Sequence, residues 1–199
     1  MGVPIGACAA LAGLVHFVMY SDPLAYFLTF RTFGTWHPGD ERGSVNRVNN
    51  VYGERGIARN PRLSHWSQQI QNDDTFVLDA AGRSVVDAAI RDACRFRGWK
   101  LIALNVRTNH VHAVVWPDAG KDAMMTVFKA RATRVLREAG VIGAETRVWS
   151  RHGSTRVLFC ERSVTGARYY VLHGQGAVLP NDDTWWEHYA ALAEANPDD

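Results

Sequence analysis

The stretch that decides the fold is residues 101–117, Leu-Ile-Ala-Leu-Asn-Val-Arg-Thr-Asn-His-Val-His-Ala-Val-Val-Trp-Pro. Two apolar runs, 101–106 and 111–116, are joined by polar residues suited to a tight turn, which predicts a β-hairpin. Because side chains alternate across a strand, His110 and His112 lie on the same face. Two neighbouring imidazoles can bind one metal ion, although so short a pattern also arises by chance.

The chain around this hairpin supplies further strands and helices. Hydrophobic periodicity predicts a strand over residues 24–33 and a helix that ends at Arg97, with Gly98 as its left-handed cap. A second helix is predicted over 122–139, and a third, which carries two tyrosines, over 163–175.

The sequence also predicts a helix cap and a turn between two extended segments. Ser84 is one possible amino-terminal cap of the first helix. Residues 146–150 and 155–160 are expected to be extended, with a turn at 151–154, Arg-His-Gly-Ser, between them.

The predicted order is strand, helix, strand, strand, helix, strand, helix. Two βαβ-like halves on one antiparallel sheet define the ferredoxin-like split βαβ arrangement of the α+β class. In that topology the strand with the two histidines lies centrally. We expect helices on one face of the sheet and exposed histidines on the other.

Composition and charge narrow the function classes. With 47% hydrophobic and 21% charged residues, the chain is neither disordered nor fibrous in character. Residues 31–70 carry six Arg against three acids, and residues 129–168 carry nine Lys or Arg against three acids. Two basic regions indicate a surface that binds a polyanion, with Arg and aromatic residues interleaved as single-stranded nucleic acid requires.

The number and spacing of the cysteines indicate in which cellular compartment the protein is expected. Cys8, Cys94 and Cys160 are far apart and odd in number, and no Cys-x-x-Cys motif is present. Neither a disulfide framework nor a cysteine zinc site follows, so a reducing cytoplasm fits best.

Several blocks of sequence, in order, resemble the HUH single-tyrosine transposases, with the REP-associated tyrosine transposases nearest among them. The similarity spans residues 24–175. Its blocks are Ala25-Tyr-Phe-Leu-Thr-Phe-Arg-Thr-Phe-Gly-Thr-Trp, Gly39-Asp-Glu-Arg-Gly, Asn109-His-Val-His-Ala-Val-Val, Trp149-Ser-Arg-His-Gly-Ser and Tyr170-Val-Leu-His-Gly-Gln.

This resemblance implies an enzyme that nicks single-stranded DNA, keeps a 5′-phosphotyrosine link, leaves a 3′-OH and rejoins strands. Mg²⁺ or Mn²⁺ would be held by His110 and His112 and would polarise the scissile phosphate. The implied partner is single-stranded DNA that contains a hairpin, with no membrane involved. Both monomeric and homodimeric states are open.

The resemblance places the nucleophile and a third ligand on the last helix. Tyr170 is the preferred nucleophile because the Tyr-Val-Leu block aligns there, and Tyr169 is the alternative. The family has Asn or Gln four residues after the nucleophile, but four after Tyr170 is Gly174. Gln175, one residue further, and His173, four after Tyr169, are the candidate third ligands.

Candidate DNA contacts are the arginines of the two basic regions, with one aromatic residue placed to stack on a base. They are Arg31, Trp36, Arg42, Arg134 and Arg151.

The resemblance also divides the chain into three segments. Residues 1–22 form an apolar leader, 23–178 the catalytic domain and 179–199 an acidic tail. We expect translation to start at Met19, with a docked helix or a membrane anchor as alternatives for the leader.

Two other functions are open at this stage. One is a DNA-binding module that has kept the fold and lost the chemistry, which Gly174 makes conceivable. The other is an unrelated metal-dependent hydrolase that uses the histidine pair without a tyrosine.

Overall fold

The computed structural model describes residues 6–8, 17–20, 22–40, 57–71, 73–174 and 185–197. Its elements, in chain order, are β1 (Gly6–Cys8), β2 (Phe17–Met19), β3 (Ala25–Thr32), α1 (Pro61–Gln69), α2 (Ala80–Arg97), β4 (Leu101–Val106), β5 (His110–Val115), α3 (Lys121–Glu138), β6 (Trp149–Leu158), α4 (Glu161–His173) and α5 (Trp185–Ala195).

The four longer strands form one antiparallel sheet in the order β4-β5-β3-β6. Its first strand in sequence, β3, lies between the third, β5, and the fourth, β6, which is the ferredoxin-like order. The predicted α+β class and its antiparallel sheet are confirmed. β1 and β2 pair with each other in a separate two-stranded sheet.

Helices α2 and α3 cover one face of the sheet. Val86 and Ile90 of α2 recur at helical spacing and are fully buried, together with Phe128 of α3. They pack with Phe30 of β3, whose ring meets the edge of Trp149 at a centroid distance of 5.0 Å. This layer is the larger hydrophobic core of the described residues.

Helices α4 and α5 cover the other face. Phe27 and Val114 of the sheet pack with Val171 of α4 and Tyr189 of α5. The expectation that the histidines on this face are exposed is wrong for His112, which is 5% exposed because α4 lies over it. Within the predicted acidic tail, α5 is likewise packed on α4 along one side.

Residues 151–154 belong to β6 and do not form the predicted turn. They lie beside β3, where a bulge between Phe30 and Thr32 shifts the pairing. The glycine in this segment permits close packing, because a Cβ on Gly153 would lie 2.6 Å from Sδ of Met125. The turn that the sequence predicts here is wrong, because Gly153 serves to let α3 approach the strand.

The first helix on the sheet begins before the predicted cap. α2 starts at Ala80, with Asp79 as its cap, whose Oδ1 accepts a 2.6 Å hydrogen bond from the Gly82 N–H. Ser84 lies inside the helix, where its hydroxyl donates to the Ala80 carbonyl. An aspartate cap satisfies an otherwise unpaired amide in the same way as serine.

Part of the predicted leader forms the strands β1 and β2. The backbone N–H of Tyr20 donates to the Phe159 carbonyl and that of Leu24 to the Leu158 carbonyl, so residues just before β3 continue along β6. The start at Met19 stays a prediction. No helix among the described ranges has the length and apolar character needed to cross a bilayer.

The cap at Gly98 gives a test of the fold. Gly98 ends α2 with φ 70°, so Gly98→Ala should lower the free energy of unfolding by about 1 kcal/mol through backbone strain, since the space around it is open. Gly143→Ala, where the added Cβ makes only ordinary contacts, is the matched control and should cost nothing. Urea unfolding of both variants measures the difference, and equal stabilities would contradict the left-handed cap.

Candidate active site

The two histidines are held side by side on β5. His112 pairs with Thr29 across β3, and its Nδ1 lies 2.7 Å from the Thr29 Oγ1. His110 places its Nδ1 2.7 Å from Oδ1 of Asn109. The two ring centroids are 4.6 Å apart, as the alternation of side chains along the strand predicts.

His112 is buried in a neutral state. Phe27 and Tyr170 cover its ring, with centroid distances of 5.3 and 5.4 Å. Burial is the first cause that holds the pKa of His112 well below the ordinary value of 6.5, followed by the charges of His110, Arg31 and Arg107. A neutral imidazole is the form that binds metals, so His112 is prepared for ligation without losing a proton.

Tyr170 is the tyrosine that α4 brings to the histidines. Its ring meets Phe27 edge-on at 6.0 Å and Tyr189 of α5 at 4.9 Å, and it is 5% exposed. Burial raises the pKa of its phenol, Tyr189 adds to this effect, and the positive charges of Arg31 and Arg156 oppose it. The phenol is therefore protonated at neutral pH.

A hydrogen bond between β4 and α4 fixes the position of this helix on the sheet. Nδ2 of Asn105, on β4, donates to the backbone carbonyl of Val171 at 2.8 Å. This bond ties the residue after Tyr170 to the strand beside the histidines. Since Asn105 pairs with His112 across the strands, the same row of the sheet holds both the helix and the imidazole.

Tyr169 and His173 form a pair of their own. Their rings lie 4.6 Å apart, one helical turn from each other, with Tyr169 half-buried and His173 exposed. Among the described residues, no three His, Cys, Asp or Glu side chains come together as a metal-binding group, so His173 does not join His110 and His112 in one. Gln175 lies outside the described residues.

Gly174 is required by packing, not by its backbone angles. It caps α4 with φ −82°, which any residue adopts. A Cβ there would lie 2.6 Å from Cδ2 of Tyr170 and 3.0 Å from Cε1 of Tyr189. An Asn or Gln side chain at position 174 would thus collide with the two tyrosine rings in this arrangement.

The predicted DNA contacts fall on both faces of the sheet. Arg31 pairs with His110 across the strands, and its guanidinium stacks on the ring of Trp36. Arg134 and Arg151 line a groove of about 860 Å³ between α3 and β6, where Arg134 also forms an ion pair with Glu138. Arg42 lies outside the described residues.

The histidine pair fits a divalent metal ion. Because the Nδ1 atoms of His110 and His112 face Asn109 and Thr29, Nε2 is the nitrogen that each ring would present to the metal, an arrangement in which outer-shell oxygens orient the ligands. Mg²⁺ and Mn²⁺ both suit oxygen ligands, which phosphate and water would supply beside the two imidazoles. Two nitrogens leave several coordination positions for phosphate oxygens or water.

Arg156 is a residue of this site that the sequence patterns missed. It pairs with Phe27 across β6 and β3, on the face that carries the histidines. Arg156 lies within the predicted strand over 155–160, but no pattern in that segment shows which face of the sheet it occupies. The pairing of β6 with β3 assigns the face, because Phe27 and Thr29 lie on the same face as His112.

No family model matches the chain, and no curated protein matches it. Among solved structures, the chain is similar to a REP-associated tyrosine transposase bound to a REP hairpin, with a TM-score of 0.41, 10% identity and coverage of 81% of this chain and 70% of that one. It is also similar to a putative transposase from Deinococcus radiodurans R1, with a TM-score of 0.40, 14% identity and coverage of 85% and 100%.

The packing at Gly174 leads to a stability prediction. A Gly→Ala change at φ −82° would ordinarily stabilise the fold, but here the added Cβ meets Tyr170 and Tyr189. We expect Gly174→Ala to lower the free energy of unfolding by about 1 to 3 kcal/mol, the usual cost of overpacking. Urea unfolding beside the Gly143→Ala control measures this, and a stabilised variant would contradict the close contact.

The buried neutral imidazole predicts a pH dependence. Below the ordinary pKa of 6.5, His112 in the unfolded chain accepts a proton, whereas His112 in the folded chain does not. In EDTA, the free energy of unfolding should therefore fall as the pH decreases. The contribution of this one group is at most about 1.4 kcal/mol per pH unit. His112→Gln should remove that part of the slope in unfolding free energies between pH 7 and 5. The matched control, exposed His152→Gln, should retain it, and equal slopes in both variants would refute the assignment.

Proposed function

We propose that this chain is a metal-dependent tyrosine transposase that cleaves and rejoins single-stranded DNA through a 5′-phosphotyrosine intermediate. One observation carries the proposal: the ring of Tyr170 lies edge-on against His112, which is paired with His110 on the same sheet face. A phenol beside two imidazoles that fit a divalent ion is the donor set that phosphodiester transesterification needs.

Tyr170 acts as the nucleophile in this proposal. Its Oη attacks the phosphorus, the phenolic proton leaves, and the bond to the 3′ oxygen of the preceding nucleotide breaks, which gives a 3′-OH end and a phosphotyrosine. The step is reversible, since one phosphodiester is exchanged for another of similar energy. Arg31 supports it by lowering the pKa of the phenol against the effect of burial. Tyr169, paired with His173, is the alternative nucleophile.

His110 and His112 are the proposed ligands of Mn²⁺ or Mg²⁺, and Gln175 is the candidate third ligand, since His173 does not come together with the two histidines. When bound, the ion supplies Lewis acidity to the phosphate under attack. The role of the chain is to hold both imidazoles in place through Thr29 and Asn109 and to keep His112 neutral.

The proposed substrate is single-stranded DNA that carries a hairpin. Arg31 and Trp36 lie next to the histidines, where a guanidinium can pair with phosphate and an indole can stack on a base. Arg134 and Arg151 offer cations for a second segment of DNA along the groove between α3 and β6. The proposal is open to a monomer or a homodimer, and the cytoplasmic location stays a prediction.

A second function is supported by Gly174. The position of the usual third ligand has no side chain, and Tyr170 is packed under Tyr189. These features favour a module that binds hairpin or single-stranded DNA without cleaving it. The two functions differ in one product, the covalent protein–DNA adduct.

The test uses single-stranded hairpin oligonucleotides from the flanks of the gene, labelled at either end. The full chain is incubated with each in Mn²⁺ and resolved on denaturing gels, beside Tyr170→Phe, Tyr169→Phe and an EDTA control. We expect an adduct that carries only the 3′-side fragment and is lost in Tyr170→Phe and in EDTA, because the nucleophilic oxygen or the ion is then missing.

Three other results would change the proposal. An adduct lost only in Tyr169→Phe would reassign the nucleophile. Cleavage without any adduct would indicate a metal-dependent hydrolase. Hairpin binding with no product in any metal would establish the DNA-binding module.

A further inference from the structure

We infer that Arg156 binds the non-bridging oxygens of the phosphate that Tyr170 attacks, as a second guanidinium opposite Arg31. The inference rests on the proposed function and adds a substrate-binding residue that the sequence motifs do not contain. It follows from the register of β6 and the contacts of Phe27.

The register places Arg156 on the face of the sheet that holds the histidines. Phe27 pairs with Arg156 of β6, and Thr29 pairs with Ser154, so 154 and 156 share the face of Thr29 and its partner His112. β6 is the outermost strand of the sheet on that side. A side chain from it reaches the site from the outer edge of the sheet that the described residues form, and we propose that DNA approaches from there.

Phe27 connects Arg156 to the reacting groups. Its ring contacts both His112, at 5.3 Å between centroids, and Tyr170, at 6.0 Å. Arg156 is directly across from it and half-buried. Arg156 therefore lies on the strand next to Phe27, which contacts both the proposed nucleophile, Tyr170, and His112.

Arg31 and Arg156 occupy different strands on the same face of the sheet. Arg31 is four residues beyond Phe27 on β3, a distance of roughly 13 Å along an extended strand. Arg156 lies directly across from Phe27 on β6, and the ring of Phe27 contacts Tyr170. In the proposed complex, the phosphate near Tyr170 receives one guanidinium from each strand.

The chemistry of the step favours this arrangement. In the transition state the phosphorus is bonded to both the attacking and the departing oxygen, and negative charge gathers on the non-bridging oxygens. A guanidinium has planar paired donors that match two phosphate oxygens, which a lysine ammonium cannot do. Hydrogen bonds from preorganised donors of this kind strengthen as negative charge develops on the phosphate. They therefore increase the rate of adduct formation more than the affinity for DNA.

The other cationic cluster cannot take this role. Lys129 and Arg134 lie on α3, which packs against the opposite face of the sheet from α4. Lys129 also directs its ammonium to the backbone carbonyls of Ser150 and His152. These cations are suited to distant phosphates of a bound DNA and not to the one beside Tyr170.

The test compares two substrates in single-turnover reactions of the full chain with Mn²⁺ and excess protein. One oligonucleotide has an ordinary phosphodiester at the cleavage position, and the other has a methylphosphonate there, which lacks the negative charge. On the phosphodiester, Arg156→Gln should slow adduct formation by about 10²-fold, the usual loss for one oxyanion donor. On the methylphosphonate, Arg156→Gln should react at the wild-type rate, because the charge that Arg156 neutralises is absent.

Control variants separate this effect from a structural one. Arg156→Lys keeps the charge without the paired donors and should give an intermediate rate on the phosphodiester. Arg91→Gln removes an exposed arginine of α2 that pairs with Asp87, and it should leave both rates unchanged. Thermal unfolding of each variant shows whether it folds, and affinity for uncleaved DNA separates binding from rate.

The outcomes distinguish the inference from the proposed function. An equal loss on both substrates, or a loss confined to affinity, would overturn the role of Arg156 and leave the transposase proposal standing. Wild-type rates for Arg156→Gln would do the same. If the wild-type protein forms no adduct on any substrate, both the inference and the proposed function fail.

Discussion

The pairing of β3 with β5 is the constraint on which the candidate site depends. It brings Thr29 opposite His112 and Arg31 opposite His110, so the residues that orient and surround the imidazoles come from a strand about eighty positions earlier in the chain. A shift of one residue would turn both histidines to the other face, among Phe30 and the side chains of α2 and α3. The apolar residues between the histidines and after them, buried in both cores, hold the register.

Burial explains why the site combines a neutral imidazole, His112, with neighbouring positive charges. His112 sits beneath α4 and Phe27, where a charged ring would be poorly solvated, and the nearby arginines oppose its protonation further. Arg31, one of these arginines, also favours the ionised phenol of Tyr170, together with Arg156, although burial still raises the pKa of that phenol. Arg31 therefore acts in two directions, towards a neutral His112 and against the rise in the pKa of Tyr170.

Much of this arrangement is readable from sequence, and the failures have physical causes. Period-two alternation predicts the neighbouring histidines, and helical spacing predicts the faces of α2 and α3, because both depend on local geometry. The burial of His112 depends on where α4 docks, which no local pattern contains. Gly153 was misread since a glycine looks the same in a turn and under a close helix contact. The face of Arg156 likewise depends on how β6 pairs with β3, which no local pattern contains.

The bulge in β6 also bears on how the protein avoids aggregation. An outer strand presents unpaired backbone groups that another chain can extend into a continuous sheet. Here the strand is irregular between the partners of Phe30 and Thr32, and its exposed stretch carries Arg151 and His152. A kinked, charged edge is a poor template for an incoming strand. The irregular, basic segment of β6 is thus expected to disfavour edge-to-edge pairing between copies of the chain.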